Sequence, residues 1–340
     1  MVATRSEWRV HGSRAATPVG EGAEPVTIRS IAVFGGSGKV GRRVIPYLLQ
    51  RGLGVRALVH RTPIEGEGVA SVSGSITDAE AVSRVVEGTD AVVQLATTKE
   101  DPETFFEVSV RGTLNILEAC RSLGTQQFIL LGGDAVFGIW FYPQPIPIDE
   151  NHPLMAYPGY YAFTKVIEEV MAQQYGHQYQ VPWSILRSSW IFERDDLLNH
   201  FSLLKNVDPA EPGHGFGAQP EEVMALVRAG EERIPILTNE AGVPYNRHIV
   251  HIEDVMQAFD RILGNPAALG ESFNIAAPSA FNYRPAAEYL SQKTGIPTIE
   301  LVCAGYHSFA INVTKARSML GYDPQYDFHR IADSALEHAR

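Results

Sequence analysis

The chain has 340 residues, of which 45% are apolar and 20% charged, and a net charge of −11. That length buries ample core for one large α/β domain or a large and a small one, and the composition is that of a soluble globular protein. The acidic balance, without basic runs or basic amphipathic helices, excludes a nucleic-acid partner and an anionic membrane surface.

No apolar run reaches the roughly 20 residues needed to span a bilayer. Cys120 and Cys303 fit neither a disulfide framework nor a metal-ligand spacing, which suits a reducing cytoplasm. Residues 1–27 carry arginines, small residues and prolines without the apolar centre of a secretory signal, and read as a disordered extension. An organelle transit peptide is the other reading, weakened by Glu7, Glu21 and Glu24.

From Ile31 onward strand-like and helix-like stretches alternate, which predicts a doubly wound parallel sheet of the Rossmann kind. The strand Ile31–Phe34 runs into Gly35-Gly36-Ser37-Gly38-Lys39-Val40-Gly41 and then into a helix-like stretch from Arg42 to Leu49. Gly35 permits a tight exit from the strand, Gly38 lets a pyrophosphate approach the backbone, and Gly41 lets helix and sheet pack closely. The helix N-terminus offers unpaired N–H groups to the anion, so Gly35, Ser37, Gly38, Lys39, Val40 and Gly41 are candidate cofactor residues.

The second strand, Gly54–Val59, is followed by His60 and Arg61 where a carboxylate would hold the ribose of NAD. Arg61, His60 and Lys39 suit the extra phosphate of NADP, so NADP is favoured and NAD remains possible; solvated surface cations are the other reading. A third strand near Val69–Val72 leads to Ser75-Ile76-Thr77-Asp78, with Thr77 or Asp78 placed to cap a helix over Ala79–Val86. The fourth strand, Ala91–Thr97, ends in small residues against which a flat ring can lie.

A helix is predicted from Glu103 to Arg121, then a strand Gln127–Leu131 that Gly132-Gly133-Asp134 break at its carboxyl end, where open α/β sheets place ligands. The aromatic and proline-rich segment Phe137–Pro147 reads as a substrate wall or as a hydrophobic plug. Next comes a helix over Tyr160–Gln174, on which Tyr161 and Lys165 share one face. The ammonium favours the phenolate, drawing a group of intrinsic pKa about 10 toward working pH and allowing it to exchange a proton with a substrate oxygen.

After the strand Trp183–Arg187, the segment Glu193–Glu232 departs from simple alternation, and Asp208–Gly217 reads as a long loop, a lid or pocket wall. His200, His214, His248 and His251 lack a ligand spacing, so no metal is expected. Closing helices are predicted over Pro285–Thr294 and Ile331–His338.

These motifs together resemble the short-chain dehydrogenase/reductase superfamily in its extended, NAD-dependent epimerase/dehydratase branch. Thr77-Asp78, Asp90–Ala96, Gly112–Ala119, Ala135–Gly138, Leu186-Arg187, Arg247–Val255, Phe273–Ile275 and Lys315–Tyr322 extend the likeness from Ile31 to the end of the chain. The resemblance implies that Ser75 and Ile76 flank the adenine and that Leu95, Ala96 and Thr97 lie beside the nicotinamide-side ribose. It implies that Tyr161 is the acid/base and that Lys165 lowers its pKa and binds the ribose. Arg247 matches an arginine that faces a substrate phosphate in sugar-nucleotide relatives, with a fold-holding ion pair as the other reading. Family members carry serine or threonine where this chain has Gly133. Asp134 is a substitute donor if protonated or if it meets a substrate hydroxyl, and otherwise a turn or cap residue. Ser109 and Gln94 stand where asparagine and histidine are common.

The expectation is therefore an NAD(P)-dependent oxidoreductase acting on a carbonyl or alcohol carbon of a small-molecule substrate. An epimerase or dehydratase recycling bound NAD is the alternative, and a non-catalytic nucleotide-binding sensor or scaffold the reading from another class. Gly133, Asp134, Phe137, Tyr160 and Arg247 are the candidate substrate residues. Residues 28–190 would form the dinucleotide-binding core and 191–340 mainly the substrate region, with about 245–275 returning to the core. The resemblance also implies a homodimer through the helices near Glu103–Arg121 and Tyr160–Gln174.

Overall fold

The computed structural model describes residues 26–64, 66–208, 210 and 215–339. The expected extension 1–27 lies outside the described residues but for its last two, of which Val26 donates its N–H to the Gly264 carbonyl at 3.0 Å.

A seven-stranded sheet forms the centre. Its strands are β1 (Ser30–Phe34), β2 (Gly54–Val59), β3 (Val69–Ser73), β4 (Ala91–Gln94), β5 (Gln127–Gly133), β6 (Trp183–Ser188) and a last strand, Glu271–Ile275. From one edge the order is Glu271–Ile275, β6, β5, β4, β1, β2, β3, and every pair is parallel. Ile31 of β1 lies opposite Val55 of β2 on one side and Ala91 of β4 on the other. The order therefore reverses beside β1, and a crevice opens there at the carboxyl ends of the strands. Ile31, Ala32, Val33 and Phe34 are all fully buried. The absence of alternation in β1 is what helices on both faces of the sheet require.

Helix α1 (Gly41–Gln50) buries Gly41, Val44, Ile45 and Leu48. Helix α2 (Ala79–Val86) is capped by Asp78, whose Oδ1 accepts the Glu80 and Ala81 N–H groups, while Thr77 bonds the Ser75 hydroxyl. The helix expected over Glu103–Arg121 is two pieces: a π-helical stretch Phe105–Arg111 and then α3 (Gly112–Leu123). At the junction a Cβ on Gly112 would stand 2.9 Å from Ile76, so the widened turn brings α3 onto the Ser75-Ile76 edge. Helix α4 (Tyr160–Tyr179) runs past its expected end and stops at Gln180, which is left-handed with φ 59°.

Apolar clusters fill both faces of the sheet, and one of them continues through Phe201, Tyr283 and Phe328 into the C-terminal region. There Trp190–Phe192 pairs with Ile249–His251 and Ile234–Thr238 with Thr298–Val302, both parallel. The irregular segment carries short helices at Asp196–His200, Leu203–Asn206 and Glu221–Arg228. Of the loop Asp208–Gly217, residues 209 and 211–214 lie outside the described residues. The closing helices run over Tyr283–Thr294 and Phe328–His338. No helix among the described residues is long and apolar enough to cross a membrane.

Candidate active site

A cleft of about 960 Å³ lies over the carboxyl ends of the strands. Its floor is the glycine turn. Gly35 has φ +82°, and a Cβ there would stand 2.6 Å from the Ala96 nitrogen; a Cβ on Gly41 would collide with the Gly35 and Gly36 carbonyls. Gly38 donates its N–H to the Gly35 carbonyl at 3.1 Å and leaves the backbone bare toward the cleft. Bare backbone at the start of α1 fits a dinucleotide pyrophosphate, which needs close approach and N–H donors.

Every cofactor residue expected from the sequence lines this one cleft: the turn Gly35–Gly41 apart from Gly36, His60 and Arg61, Ser75 and Ile76, and Leu95, Ala96 and Thr97. The edges are tied down by side chains. Asn115 donates to the Ile76 carbonyl at 3.0 Å, and Gln94 bonds both the N–H and the carbonyl of Ala96. Ser109 Oγ accepts the Thr98 N–H at 3.2 Å. Lys39 is placed differently from its expected part in reading an extra phosphate. Its ammonium is held by the Ile191 carbonyl at 2.8 Å and by Asp196. His60 and Arg61 are both exposed at the end of β2.

Tyr161 and Lys165 both line the cleft, with Lys165 Nζ 5.8 Å from the centre of the phenol ring. Lys165 donates to the Leu131 carbonyl at 3.3 Å and is ion-paired at 2.9 Å with Glu168, which is fully buried. The expected downward pull of Lys165 on the phenol is present but outweighed. Burial raises the Tyr161 pKa above its ordinary value; Lys165 pulls it down, but Asp134 and Glu168 push it up, and the net direction is upward.

Gly133 has φ −161° and ψ 160°, extended backbone open to any residue. A Cβ built there would stand 3.6 Å from the Tyr161 hydroxyl and 3.7 Å from the Ser188 carbonyl. Asp134 lines the cleft and accepts the Ser189 hydroxyl at 2.7 Å; burial, ahead of the opposing pull of that bond and of Arg247, raises its pKa to about 6. Arg247 lies between two indoles, its guanidinium carbon 4.9 Å from the Trp140 ring and 4.4 Å from the Trp190 ring. Its buried Nε has no hydrogen-bond partner, and no ion pair holds it among the described residues.

Of the candidate substrate residues, Gly133, Phe137 and Tyr160 do not line the cleft. Phe137 is fully buried beneath the Arg187 guanidinium, which is itself paired with buried Glu169, so its ring belongs to the core. Tyr160 is 40% exposed beside Phe105, its N–H donated to Glu100. The aromatic segment is thus divided: Phe137 is plug, while Trp140 and Phe141 are wall. Trp140 holds a left-handed φ of 73°, sustained by stacking on Tyr306 and packing against Tyr245. Tyr157, Ser188, Ser189, Trp190 and Phe309 also line the cleft and were not foreseen. The histidines have other partners: His200 bonds Tyr283, His248 bonds the Ala277 carbonyl and the Ile311 N–H, and His251 caps a helix. His214 lies outside the described residues.

A switch-point crevice floored by glycines and flanked by a tyrosine–lysine pair one helical turn apart is the arrangement on which the resemblance to the extended short-chain dehydrogenases/reductases rests. The NAD dependent epimerase/dehydratase family matches residues 31–195. That match takes in both the glycine turn and the Tyr161–Lys165 pair, and over residues 31–195 the chain is similar to this family of NAD-dependent enzymes. It is 27% identical over 206 residues to a putative UDP-glucose 4-epimerase of Methanocaldococcus jannaschii, a match covering 54% of this chain and 66% of the relative. It is 30% identical over 191 residues to a 3-beta-hydroxysteroid dehydrogenase of Mycolicibacterium neoaurum, covering 52% of this chain and 51% of the relative. The chain thus spans about two thirds and one half of these two relatives. A crystal structure of a short-chain dehydrogenase/reductase superfamily protein from Agrobacterium tumefaciens with bound NAD shares the fold at TM-score 0.80 and 24% identity, covering 91% of this chain and 97% of that one.

Proposed function

We propose that this chain is an NAD(P)-dependent oxidoreductase acting on a carbonyl or carbinol carbon, with Tyr161 as acid/base. The carrying observation is that Tyr161 lines the cleft that begins at the glycine turn, its hydroxyl 3.6 Å from the side-chain position that Gly133 leaves vacant. The bound dinucleotide supplies or takes the hydride. Gly35, Gly38 and Gly41 seat its pyrophosphate, and Leu95, Ala96 and Thr97 bound the ring end. Lys165 holds positive charge beside the phenol. Tyr161 keeps its proton, as the raised pKa requires, and donates it to the substrate oxygen in the reducing direction. Arg61 and His60 favour NADP, since no carboxylate ends β2.

The wall of Trp140, Phe141, Tyr157, Trp190 and Phe309 supports a ring-bearing substrate, and the unpartnered Nε of Arg247 supports an anionic group on it. The M. neoaurum relative is named for a ring-bearing alcohol. An epimerase recycling bound NAD is the second reading, carried by the name of the M. jannaschii relative. Tyr161 and Lys165, paired in one cleft, weigh against a non-catalytic sensor. Exposed Phe106, Leu114, Phe163, Val170 and Tyr179 on the Phe105–Arg111 stretch, α3 and α4 support a homodimer through these helices. Two buried free cysteines suit the cytoplasm.

Replacing Tyr161 with Phe tests the proposal. Hydride transfer is expected to fall about 10²–10⁴-fold, with nucleotide affinity within about twofold. Equal turnover by the variant would overturn the acid/base role.

A further inference from the structure

Tyr161, Lys165 and Glu168 lie at i, i+4 and i+7 on α4, and so occupy one face of the helix. Lys165 is the middle member. Its side chain is 4% exposed and that of Glu168 not at all, with Nζ and Oε2 2.9 Å apart. A second ammonium proton goes to the Leu131 carbonyl at the end of β5. Glu168 Oε1 is buried without any hydrogen-bond partner. A wholly buried carboxylate with an orphaned oxygen is expensive, and an apolar residue at this position would fill the same space without that penalty. The neighbouring Glu169 takes Arg187 of β6.

We propose that Glu168 is a positioning residue for the catalytic pair: it anchors the Lys165 ammonium from within α4 and offsets its charge, so that Tyr161 remains a proton-bearing acid. The inference rests on the reading of Tyr161 as the acid/base. A cation next to a phenol stabilises the phenolate, whereas in an ion pair next to it the anion offsets part of that effect. The site then favours donating a proton to a carbonyl oxygen over accepting one from an alcohol.

Besides the pair, Asp134 bears on the phenol, and it weighs ahead of Glu168. Asp134, at the end of β5, acts in the same direction as Glu168, and Tyr157 lies on the loop before α4. Glu100 is engaged with the Tyr160 N–H, and Glu118 of α3 is bound far along the helix by Tyr175 and Arg121.

The test reads Tyr161's own titration in the full-length chain, without nucleotide or substrate. It is the difference in phenolate absorbance between each protein and the same protein also carrying Tyr161→Phe. Glu168→Gln, which keeps an oxygen for Nζ and removes the charge, is expected to lower the midpoint by about one pH unit or more. Glu168→Met is a second neutral variant with the same expected direction, should the glutamine variant not fold. Glu168→Asp keeps the charge and is expected to leave the midpoint close to that of the unaltered chain. An unmoved or raised midpoint in the neutral variants, or an equal fall in the aspartate variant, would overturn the proposal. Because no turnover is involved, this outcome is separate from the fate of hydride transfer in Tyr161→Phe.

Discussion

The side chain that Gly133 lacks would point at the Tyr161 hydroxyl, with its Cβ 3.6 Å away and ordinary van der Waals contacts elsewhere. The gap is therefore a chemical choice, since the extended backbone accepts any residue. Gly133→Ser is expected to leave thermal stability essentially unchanged and to place a second donor beside the substrate oxygen. On a small, unhindered carbonyl, turnover should rise about tenfold or more, since one well-placed donor contributes roughly 10²-fold. An unchanged or lower rate on such a compound would show that the vacancy holds part of the substrate.

The three glycines of the turn should separate by experiment, because their surroundings differ. Gly41→Ala forces a Cβ into two backbone carbonyls and is expected to destabilise the fold by roughly 1–3 kcal/mol in chemical denaturation. At Gly38 the nearest atom to a Cβ is the Gly35 carbonyl oxygen, at 3.3 Å. Gly38→Ala should fold and lose nucleotide affinity about tenfold or more, measured by titration with reduced nucleotide. Equal affinity would remove the pyrophosphate from this turn.

Asp134 gives a pH signature. Its folded-state pKa of about 6 stands above the ordinary 3.8, so ionising it disfavours the folded state. A raised carboxyl contributes its full stability below pH 3.8 and loses that contribution as pH rises through 6. The difference, 6 minus 3.8, corresponds to at most about 3 kcal/mol. Asp134→Asn should accordingly melt higher than the unaltered chain at pH 8, with the margin closing toward pH 4. A margin that is constant across this range would mean that Asp134 is not the group being titrated.

What could be read from the sequence was local. The glycine turn and the Tyr161–Lys165 spacing are fixed by a few consecutive residues, and the strand–helix alternation by hydrophobic patterning. Glu168 carried a signal, one turn beyond Lys165, but its burial depends on α4 lying against β5, which no spacing shows. The partner of Lys39 is Asp196, and Trp190 and Arg247 meet only because the chain brings Trp190–Phe192 beside Ile249–His251. Phe137 looked like its neighbours Trp140 and Phe141; only the buried Arg187–Glu169 pair beneath the loop assigns it to the core. The expected lowering of the Tyr161 pKa is outweighed for the same reason, since it counted the charge on the helix face and not the burial that packing imposes or Asp134 at the end of β5.

The cofactor proposed for this cleft is a reduced nicotinamide dinucleotide, with an NADP preference set at the end of β2. A fluorescence titration of the purified chain with NADPH and NADH, repeated on Arg61→Ala, tests it most directly. Reversible binding of NADPH ahead of NADH is the predicted result, with the preference reduced about tenfold or more in the variant and NADH affinity unchanged. Binding of neither nucleotide would contradict the assignment of the cleft. Equal binding of both, unaltered in Arg61→Ala, would contradict the NADP preference and return the site to NAD.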